Sequence, residues 1–177
     1  MQGEAPRQVI RQERRDGVML LHLAHPPVNA LTLALREALA EGLRAVAADE
    51  ALRAVVITGE GAGFSAGSDL AEIGQGSLTL AALCKQIEDL GKPVVAALHG
   101  KALGGGLELA LAAHLRVAQA GATLGLPDLV LGLVPQAGGG QRLARLVGAE
   151  AALRLLLEPA PITAAQALTV GLVEEVV

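Results

Sequence analysis

The sequence predicts an α/β fold, formed as one domain by residues 1–177. Short apolar runs of strand character alternate with helical segments along the chain, and no low-complexity linker divides them. The chain has 177 residues, of which 52% are hydrophobic, so it contains enough apolar material for one large core. Phe64 is the only aromatic residue, and that core must therefore be packed with Leu, Val, Ile and Ala.

The first predicted elements are a strand, an amphipathic helix and a second strand. Residues 18–24 form a short apolar run that ends beside two prolines, as expected of a strand that leaves through a turn. From Leu35 to about Asp49, leucines recur at four-residue steps while charged residues occupy the other side, which predicts a helix. Residues 53–58 then form a β-branched run that is typical of a buried strand.

The later elements continue the same alternation. Strands are predicted at residues 93–98, 115–118 and 172–177, and helices at residues 149–157 and 164–168. The first of these strands leads into a glycine-rich turn that opens a further helix.

The most informative segment is this glycine-rich turn, residues 104–110 (GGGLELA), which carries Glu108 near the start of its helix. Glycines let a ligand approach the backbone without a Cβ clash, and the first N–H groups of a helix favour negative charge. The apolar neighbours of Glu108 leave hardly any polar face, so this carboxylate is expected in the core or in a cleft, with its pKa open to tuning. The segment therefore predicts an oxyanion site with a candidate acid or base beside it.

Two other segments could contribute to the same place. Residues 65–70 (SAGSDL) form a second turn of small residues after a strand and could bring another backbone N–H group there. Asp128 is a second candidate carboxylate. It follows Pro127, however, and Pro-Asp is also ordinary turn or helix-start chemistry, so Asp128 taken alone has a structural interpretation.

Composition and charge exclude several other classes of function. A formal net charge of −4 and a single aromatic residue argue against nucleic-acid binding, which needs a basic surface and stacking side chains. Cys84 is the only cysteine, which excludes an internal disulfide framework and a cysteine-rich zinc site and fits a reducing compartment. The four histidines do not form a spaced ligand set, so no metal site is predicted.

No membrane span or targeting segment is predicted. Residues 17–35 contain no Asp, Glu, Lys or Arg, but histidines, prolines and an asparagine interrupt this stretch. The N-terminal residues 1–16 are polar and hold no apolar stretch of the signal-peptide type. The predicted location is therefore the cytoplasm.

Two short motifs match known signatures without the context that those signatures need, and a third signature is not matched. Residues 63–67 (GFSAG) match the G-x-S-x-G nucleophile elbow of serine hydrolases, but a triad histidine could be nominated only arbitrarily. Residues 61–66 imitate a dinucleotide fingerprint, yet no acidic residue clearly follows at the required distance. None of the glycine turns supplies the lysine of a phosphate-binding loop. The serine hydrolase is kept as an alternative hypothesis.

Together the segments resemble the crotonase, or enoyl-CoA hydratase/isomerase, superfamily over nearly the whole chain. The resemblance rests on residues 27–31 (PVNAL), 63–70 (GFSAGSDL), 92–97 (KPVVAA), 104–110 (GGGLELA) and 132–143 (GLVPQAGGGQRL), whose order and spacing also agree. The turn at the first of these segments and the stretch that follows Gly106 look most like the hydratase portion of multifunctional fatty-acid β-oxidation enzymes.

The resemblance implies a fold and a binding mode. The fold would be the ClpP/crotonase spiral of ββα units, and the ligand would be an acyl-CoA thioester. Its carbonyl oxygen would lie in an oxyanion hole made by the N–H groups of Ser68 and Gly105, which suits a reaction that develops enolate charge on that oxygen. By the same resemblance, four residues would line the coenzyme A path: Ala30, Ala66, Asp69 and Leu70.

The resemblance also assigns the two candidate carboxylates. Two glutamates of family hydratases hold one water molecule, and their positions fall on Glu108 and Asp128. Asp128 is a departure because aspartate is one methylene shorter, and proton transfer requires hydrogen-bond reach. Gln136 and Gly140 also depart from the glycine and threonine that are usual there, near a helix start beside the second carboxylate.

The activity implied is that of an enoyl-CoA hydratase, which adds water to a trans-2-enoyl-CoA through a stabilised enolate. Glu108 would activate the water, and Asp128 would share that water or supply the α-proton. The alternatives are an enoyl-CoA isomerase and a catalytically weak acyl-CoA-binding or assembly subunit. No metal or redox cofactor is implied, because coenzyme A arrives as part of the substrate.

Family members continue for several more helices that close the acyl pocket and support trimers, whereas this sequence stops at Val177. The expected fold therefore lacks the usual C-terminal helical part. Either the sequence is part of a longer polypeptide, or a partner subunit covers an exposed apolar face. The expected partners are an acyl-CoA substrate and further copies of the chain, in a trimer or hexamer, with no nucleic acid and no membrane.

Overall fold

The computed structural model of the chain describes residues 8–72, 78–158 and 160–177, and residues 1–7 of the polar N-terminal segment lie outside it. Within these ranges the strands are β1 Ile10–Arg15, β2 Val18–Leu23, β3 Ala54–Gly59, β4 Val94–Leu98, β5 Lys101–Leu103, β6 Leu115–Ala118, β7 Thr123–Gly125, β8 Ile162–Thr163 and β9 Glu175–Val176. The helices are α1 Leu33–Ala48, α2 Leu80–Glu88, α3 Gly105–Ala112, α4 Gly139–Val147, α5 Ala149–Leu157 and α6 Ala164–Thr169, with short 3₁₀ helices at Leu70–Glu72 and Pro127–Leu131. No described helix is both long and apolar enough to cross a bilayer.

Two sheets organise the described residues. The larger sheet has the strand order β1-β2-β3-β4-β6-β9, in which β1 pairs antiparallel with β2 and the other neighbours pair in parallel. Helices α1, α2 and α3 stand in the chain between successive parallel strands, as crossover connections require. The smaller sheet has the order β5-β7-β8. Its strand β5 ends directly before α3, and β7 ends directly before the second 3₁₀ helix.

The hydrophobic core lies between the larger sheet and its helices. Alternate residues of β2 and β3 point into it, so that Leu21 is 0% and Ile57 is 1% exposed. From α1, Leu35 and Leu39 are completely buried, and the helix packs against β1 and β2. Burying one such side chain contributes about 1.5–3 kcal/mol, so aliphatic residues alone can supply a stable core.

The start of α1 is fixed by a side-chain cap. The hydroxyl of Thr32 accepts a hydrogen bond from the Leu35 N–H at 3.3 Å, which stabilises the helix by about 1 kcal/mol. Arg36 is buried and donates to the Leu31 carbonyl at 2.6 Å and to the Leu78 carbonyl at 3.0 Å. Through its bond to Leu31, Arg36 ties α1 to the residue whose N–H donates to Gly67, in the turn of residues 65–70.

The predicted elements are confirmed, and two of them have the predicted bounds. Residues 115–118 and 149–157 coincide with β6 and α5. The prediction of a strand over residues 172–177 is too long, because only Glu175–Val176 pairs with the sheet. The N–H of Leu172 instead donates to the Ala167 carbonyl at 2.8 Å and closes α6, with Gly171 at φ +78°.

Several elements have no counterpart in the predictions: β1, β5, β7, β8 and α2. Helix α4 is predicted only as a helix start near Gly140, without bounds. β1 is an edge strand in which only Ile10 is buried, so its charged sequence hides its pairing with β2. The strands of the smaller sheet are too short to show a periodic pattern. Helix α4 begins with two glycines, which lower its helix propensity although it is amphipathic.

Candidate active site

The candidate oxyanion site lies where α3 begins. Gly104 has φ +49°, and Gly105 is the first residue of the helix. A Cβ atom placed on Gly105 would lie 3.1 Å from the amide nitrogen of Ser68 and 2.5 Å from its Oγ. Within the described part of the chain, the N–H groups of Ser68 and Gly105 have no protein acceptor. Two neighbouring backbone donors are therefore available to one ligand oxygen.

Glycine is required where the two turns meet. Gly67 has φ +108°, and a Cβ atom on it would lie 2.8 Å from the Leu103 carbonyl oxygen. A Cβ atom on Gly106 would lie 2.6 Å from the carbonyl oxygen of Ser65. The Leu103 N–H donates to that same Ser65 oxygen at 3.0 Å. The approach that brings Ser68 to the start of α3 is possible only because these glycines lack a side chain.

Glu108 is held by the backbone that precedes α4. It lies in the first turn of α3 and is 3% exposed, and its Oε1 accepts the N–H groups of Ala137 and Gly139, each at 2.8 Å. Burial raises the pKa of Glu108, these N–H groups oppose that rise, and the negative charge of Asp128 adds to it. A carboxyl group that is fixed in place and has a raised pKa is suited to proton exchange.

Asp128 faces the same turn from the second 3₁₀ helix. Its Oδ2 is buried and has no hydrogen-bond partner among the described residues. A Cβ atom on Gly104 would lie 3.7 Å from this oxygen. Burial raises the pKa of Asp128, so its protonated form is more accessible than that of an ordinary aspartate.

These groups line one cleft of about 100 Å³. The lining residues are Ala66, Gly67, Ser68, Leu70, Gly104, Gly105, Glu108, Pro127, Asp128, Leu131, Leu133, Val134 and Gln136. All four predicted catalytic residues and two of the four predicted coenzyme A residues are therefore together. The volume is well below the roughly 300–1,000 Å³ of a complete ligand pocket, so the cleft fits the reacting end of a ligand.

Ala30 and Asp69, the other two predicted coenzyme A residues, do not line this cleft. The carbonyl of Ala30 accepts the Thr32 N–H at 2.9 Å, and the adjacent Leu31 N–H donates to the Gly67 carbonyl at 2.9 Å. Asp69 caps the first 3₁₀ helix, because its Oδ1 accepts the N–H of Ala71 at 2.9 Å. Asp69 thus supports the turn that carries Ser68, whereas Ala30 lies next to Leu31, the residue that bonds to this turn.

A second cleft of about 430 Å³ shares Ala66 with the first. Its other lining residues are Pro27, Val28, Ala62, Gly63, Gly100, Lys101, Gly121 and Thr123. Lys101 is exposed and supplies a positive charge there. Because Ala66 belongs to both clefts, a long ligand could pass from one to the other.

Ser65, the nucleophile of the serine-hydrolase alternative, is not available for attack. It is 1% exposed, its hydroxyl donates to the Asn29 carbonyl at 2.7 Å, and it accepts the N–H of Gly67 at 3.1 Å. Within the described residues no histidine bonds to it. His114 accepts the backbone N–H of Val94 through Nδ1 at 3.1 Å and is therefore engaged elsewhere.

Two parts of the site were not predicted from the sequence: the groups that hold Glu108 and the apolar wall of the cleft. The N–H groups of Ala137 and Gly139 come from a glycine-rich segment that opens α4, as residues 104–106 open α3. That repeated pattern is a signal from which a second backbone cradle could have been predicted. The wall formed by Leu131, Leu133 and Val134 gives no such signal, because its residues are ordinary aliphatic ones. No group of three or more potential metal ligands occurs within the described ranges.

Comparisons with known proteins agree on one family. The family model described as enoyl-CoA hydratase/isomerase matches residues 13–177. The peroxisomal bifunctional enzyme of Danio rerio is 46% identical over 165 residues, which cover 92% of this chain and 23% of that enzyme. A protein of Bacillus subtilis named probable enoyl-CoA hydratase is 44% identical over 165 residues, which cover 88% of this chain and 64% of that protein.

Solved structures give the same result. The crystal structure of enoyl-CoA hydratase from Thermoplasma volcanium superposes with a TM-score of 0.89 at 34% identity, covering 96% of this chain and 71% of that one. The fold is thus the predicted crotonase fold. The chain spans about a quarter of the length of the Danio rerio enzyme and just under two thirds of the Bacillus subtilis protein.

Proposed function

Because the chain belongs to the enoyl-CoA hydratase/isomerase family, we propose that it adds water to a trans-2-enoyl-CoA. One observation carries the proposal: two backbone donors with no acceptor among the described residues and two carboxyl groups of raised pKa line the same cleft. The donors would bind the thioester oxygen and the carboxyl groups would move the protons. The relatives named for this activity support the same assignment.

The reaction would proceed through an enolate. The N–H groups of Ser68 and Gly105 donate to the thioester oxygen, which gains negative charge as water attacks the β-carbon. Glu108, with Oε1 held by two N–H groups, takes a proton from the attacking water on its other oxygen. Asp128 delivers a proton to the α-carbon, the enolate returns to a thioester, and a hydroxyl group and a hydrogen have been added across the double bond. A further water molecule returns the proton from Glu108 to Asp128.

Isomerisation is a second candidate function, favoured by Oδ2 of Asp128, for which the described residues supply no hydrogen-bond partner. A single carboxyl group can remove a proton from one carbon of an enoyl group and return it to another. Such a reaction would need the oxyanion donors and Asp128 but no water held by Glu108. It is distinguished from hydration by product, since no hydroxyl group is added.

The substrate would be an acyl-CoA that carries its own coenzyme A, with no other cofactor. Its thioester would lie in the 100 Å³ cleft, and the coenzyme A part would pass Ala66 toward the 430 Å³ cleft and Lys101. Ala30, Asp69 and Leu70 belong to the same proposed path, and Asp69 contributes by capping the first 3₁₀ helix beside Ser68. A homo-oligomer in the cytoplasm remains our expectation for the chain.

The test is the loss of the conjugated-thioester absorbance of a short trans-2-enoyl-CoA, measured for the protein and its Glu108→Gln variant. We expect the protein to remove the absorbance and the variant to be slower by about 10²- to 10⁴-fold. Glu150→Gln is the matched control, because Glu150 is 91% exposed on α5 and loses the same charge. No loss with the unmodified protein would refute hydration of that substrate. A shifted double bond without hydration would identify the isomerase.

A further inference from the structure

Arg142 on α4 connects Glu88 on α2 with the backbone of Ala137. Neither Arg142 nor Glu88 takes part in the proposed chemistry. Nε and Nη2 of Arg142 donate to the two carboxylate oxygens of Glu88, at the end of α2, each at 2.8 Å. Its Nη1 donates to the carbonyl oxygen of Ala137. The side chain of Arg142 is 13% exposed and that of Glu88 is 40% exposed, so the guanidinium is largely shielded from solvent while its carboxylate anchor reaches the surface.

Ala137 lies between this fork and the candidate base. Its carbonyl accepts from Arg142, while its own N–H donates to Oε1 of Glu108 at 2.8 Å. Gly138 has φ +88°, and a Cβ atom there would lie 2.4 Å from Nη1 of Arg142. The guanidinium therefore packs directly on the turn of residues 137–139. The N–H of Gly139, in the same turn, also donates to Glu108.

We propose that Arg142, anchored by Glu88, is a positioning residue that fixes the 137–139 turn and thereby the carboxylate of Glu108. The proposal rests on the proposed function for its catalytic consequence, but its structural part concerns Glu108 alone. A rigid turn keeps two donors on Oε1 and leaves the second oxygen to take the proton of the water. Arg142 does not line the 100 Å³ cleft, so it acts through the turn rather than on the substrate.

The titratable and charged groups around Glu108 determine in which direction its pKa should change when Arg142 is replaced. Asp128 faces Glu108 from the second 3₁₀ helix, Cys84 and Glu88 belong to α2, and Arg142 belongs to α4. Arg142 is the cation of this group. Losing it would loosen the two N–H donors and remove a nearby positive charge, and both changes disfavour the carboxylate. The pKa of Glu108 should therefore rise in Arg142→Gln.

The experiment is a pH titration of Glu108 followed by NMR of ¹³C-labelled glutamate carboxyl groups, with the signal assigned by its loss in Glu108→Gln. We expect the midpoint to move to higher pH in Arg142→Gln and to stay in place in Arg145→Gln. Arg145→Gln is the matched control, because it makes the same change of net charge at an exposed position on the same helix. An unchanged midpoint in Arg142→Gln, even with a lower Tm, would overturn the proposal, because a merely structural clamp changes stability alone.

Arg142→Lys separates geometry from charge and also serves if Arg142→Gln does not fold. Lysine keeps the positive charge but cannot bridge both oxygens of Glu88 and the Ala137 carbonyl. We expect its Glu108 midpoint to be raised as well. A wild-type midpoint in Arg142→Lys would show that charge alone matters and would overturn the positioning role.

Kinetics add a second readout. With a short trans-2-enoyl-CoA, Arg142→Gln should lower kcat by up to about 100-fold with little change in KM, and the acid limb of its pH profile should move to higher pH. A change in KM alone would contradict the positioning role. If the unmodified protein hydrates nothing, the proposed function fails, while the NMR titration still decides the role of Arg142.

Discussion

At the scale of residues, the site depends on carboxyl groups whose environment disfavours their charge. Glu108 is buried and Asp128 keeps a buried oxygen without a partner among the described residues. Both pKa values are raised chiefly by burial. Such groups lower the stability of the folded state but are useful for proton transfer, which is the usual conflict between stability and activity.

We predict that Glu108→Gln changes stability in a pH-dependent way. A raised pKa in the folded state means that the folded chain binds the proton more tightly than the unfolded chain. The contribution of that proton is fully present below the unfolded pKa of about 4.3 and is lost as pH rises through the folded pKa. Glutamine does not titrate, so the variant lacks this loss. The free energy of unfolding of Glu108→Gln should therefore rise relative to that of the wild type as the pH increases from the unfolded pKa through the raised folded pKa.

Urea unfolding at several pH values in that range measures the effect. Glu150→Gln, at an exposed position, should show no such pH-dependent difference. A constant offset between Glu108→Gln and the wild type would mean that Glu108 titrates normally in the folded protein.

We also predict that Asp128→Asn lowers kcat by about 10²- to 10⁴-fold with little change in KM, because it removes the proposed proton donor but keeps its shape. Asp89→Asn is the control, since Asp89 is exposed and pairs with Lys85 at 2.6 Å on the surface. Steady-state hydration of a short enoyl-CoA provides the measurement. A wild-type kcat in Asp128→Asn would remove Asp128 from the mechanism.

At the scale of elements, the site forms where the turn that carries Ser68 meets the glycine-rich turn before α3. Glycines at the contact allow the two backbones to approach each other. The turn that carries Ser68 is linked to β5 by an isolated bridge between Ser65 and Ala102, and a second bridge joins Leu31 to Ser68. These links set the start of α3 beside the turn. The position of a helix end, rather than any single side chain, therefore creates the oxyanion site.

We predict that Gly105→Ala separates these two elements. Its Cβ would lie 2.5 Å from Ser68 Oγ and 2.8 Å from Leu80 Cδ2, so these side chains must turn away. It would also lie 3.1 Å from the amide nitrogen of Ser68, which is tight enough to push the two backbone donors apart. The expected loss in kcat is about 10²- to 10³-fold, as for removal of one oxyanion donor.

Gly140→Ala is the control for Gly105→Ala, because it adds the same methyl group near the start of another helix, α4. Its Cβ would meet only Leu156 Cδ1, at 3.8 Å, and alanine is the better helix former, so Tm should rise. Circular dichroism melts and hydration rates measure both variants. A Gly105→Ala variant with wild-type kcat would show that the two donors need not be adjacent.

At the scale of the whole molecule, two clefts meet at Ala66, and their sizes differ by a factor of about four. The small cleft holds the carboxyl groups and the larger one holds Lys101. Such a division suits a ligand with a small reacting end and a long, anionic carrier. Binding of the carrier and chemistry at the thioester should therefore be separable by mutation.

We predict that Lys101→Gln raises KM for an enoyl-CoA several-fold and leaves kcat unchanged, because an exposed cation contributes modestly to anion binding. A truncated enoyl thioester of N-acetylcysteamine, which lacks the phosphates, should show no change in KM. Lys85→Gln is a surface control. Equal effects on both substrates would exclude the larger cleft as the carrier site.

The sequence by itself determined the alternation of strands and helices, the burial of Glu108 and the glycine turns at the start of α3. These follow from local periodicity and from residues that only a special backbone explains, and the structure agrees with them. Asp128 was a candidate carboxylate whose local context alone also allowed a structural interpretation, and the resemblance to a family assigned it a role beside Glu108. The short strands of the smaller sheet and the charged edge strand β1 could not be predicted, because their order comes from pairing with distant strands.

Only the tertiary structure decided which groups meet. It brought Ser68, Gly105, Glu108 and Asp128 to one cleft and left Ala30 and Asp69 outside its lining. It also revealed that Ala137 and Gly139 hold Glu108 and that Arg142 packs on the same turn. These contacts join residues far apart in the chain, so their geometry depends on packing that no local pattern encodes.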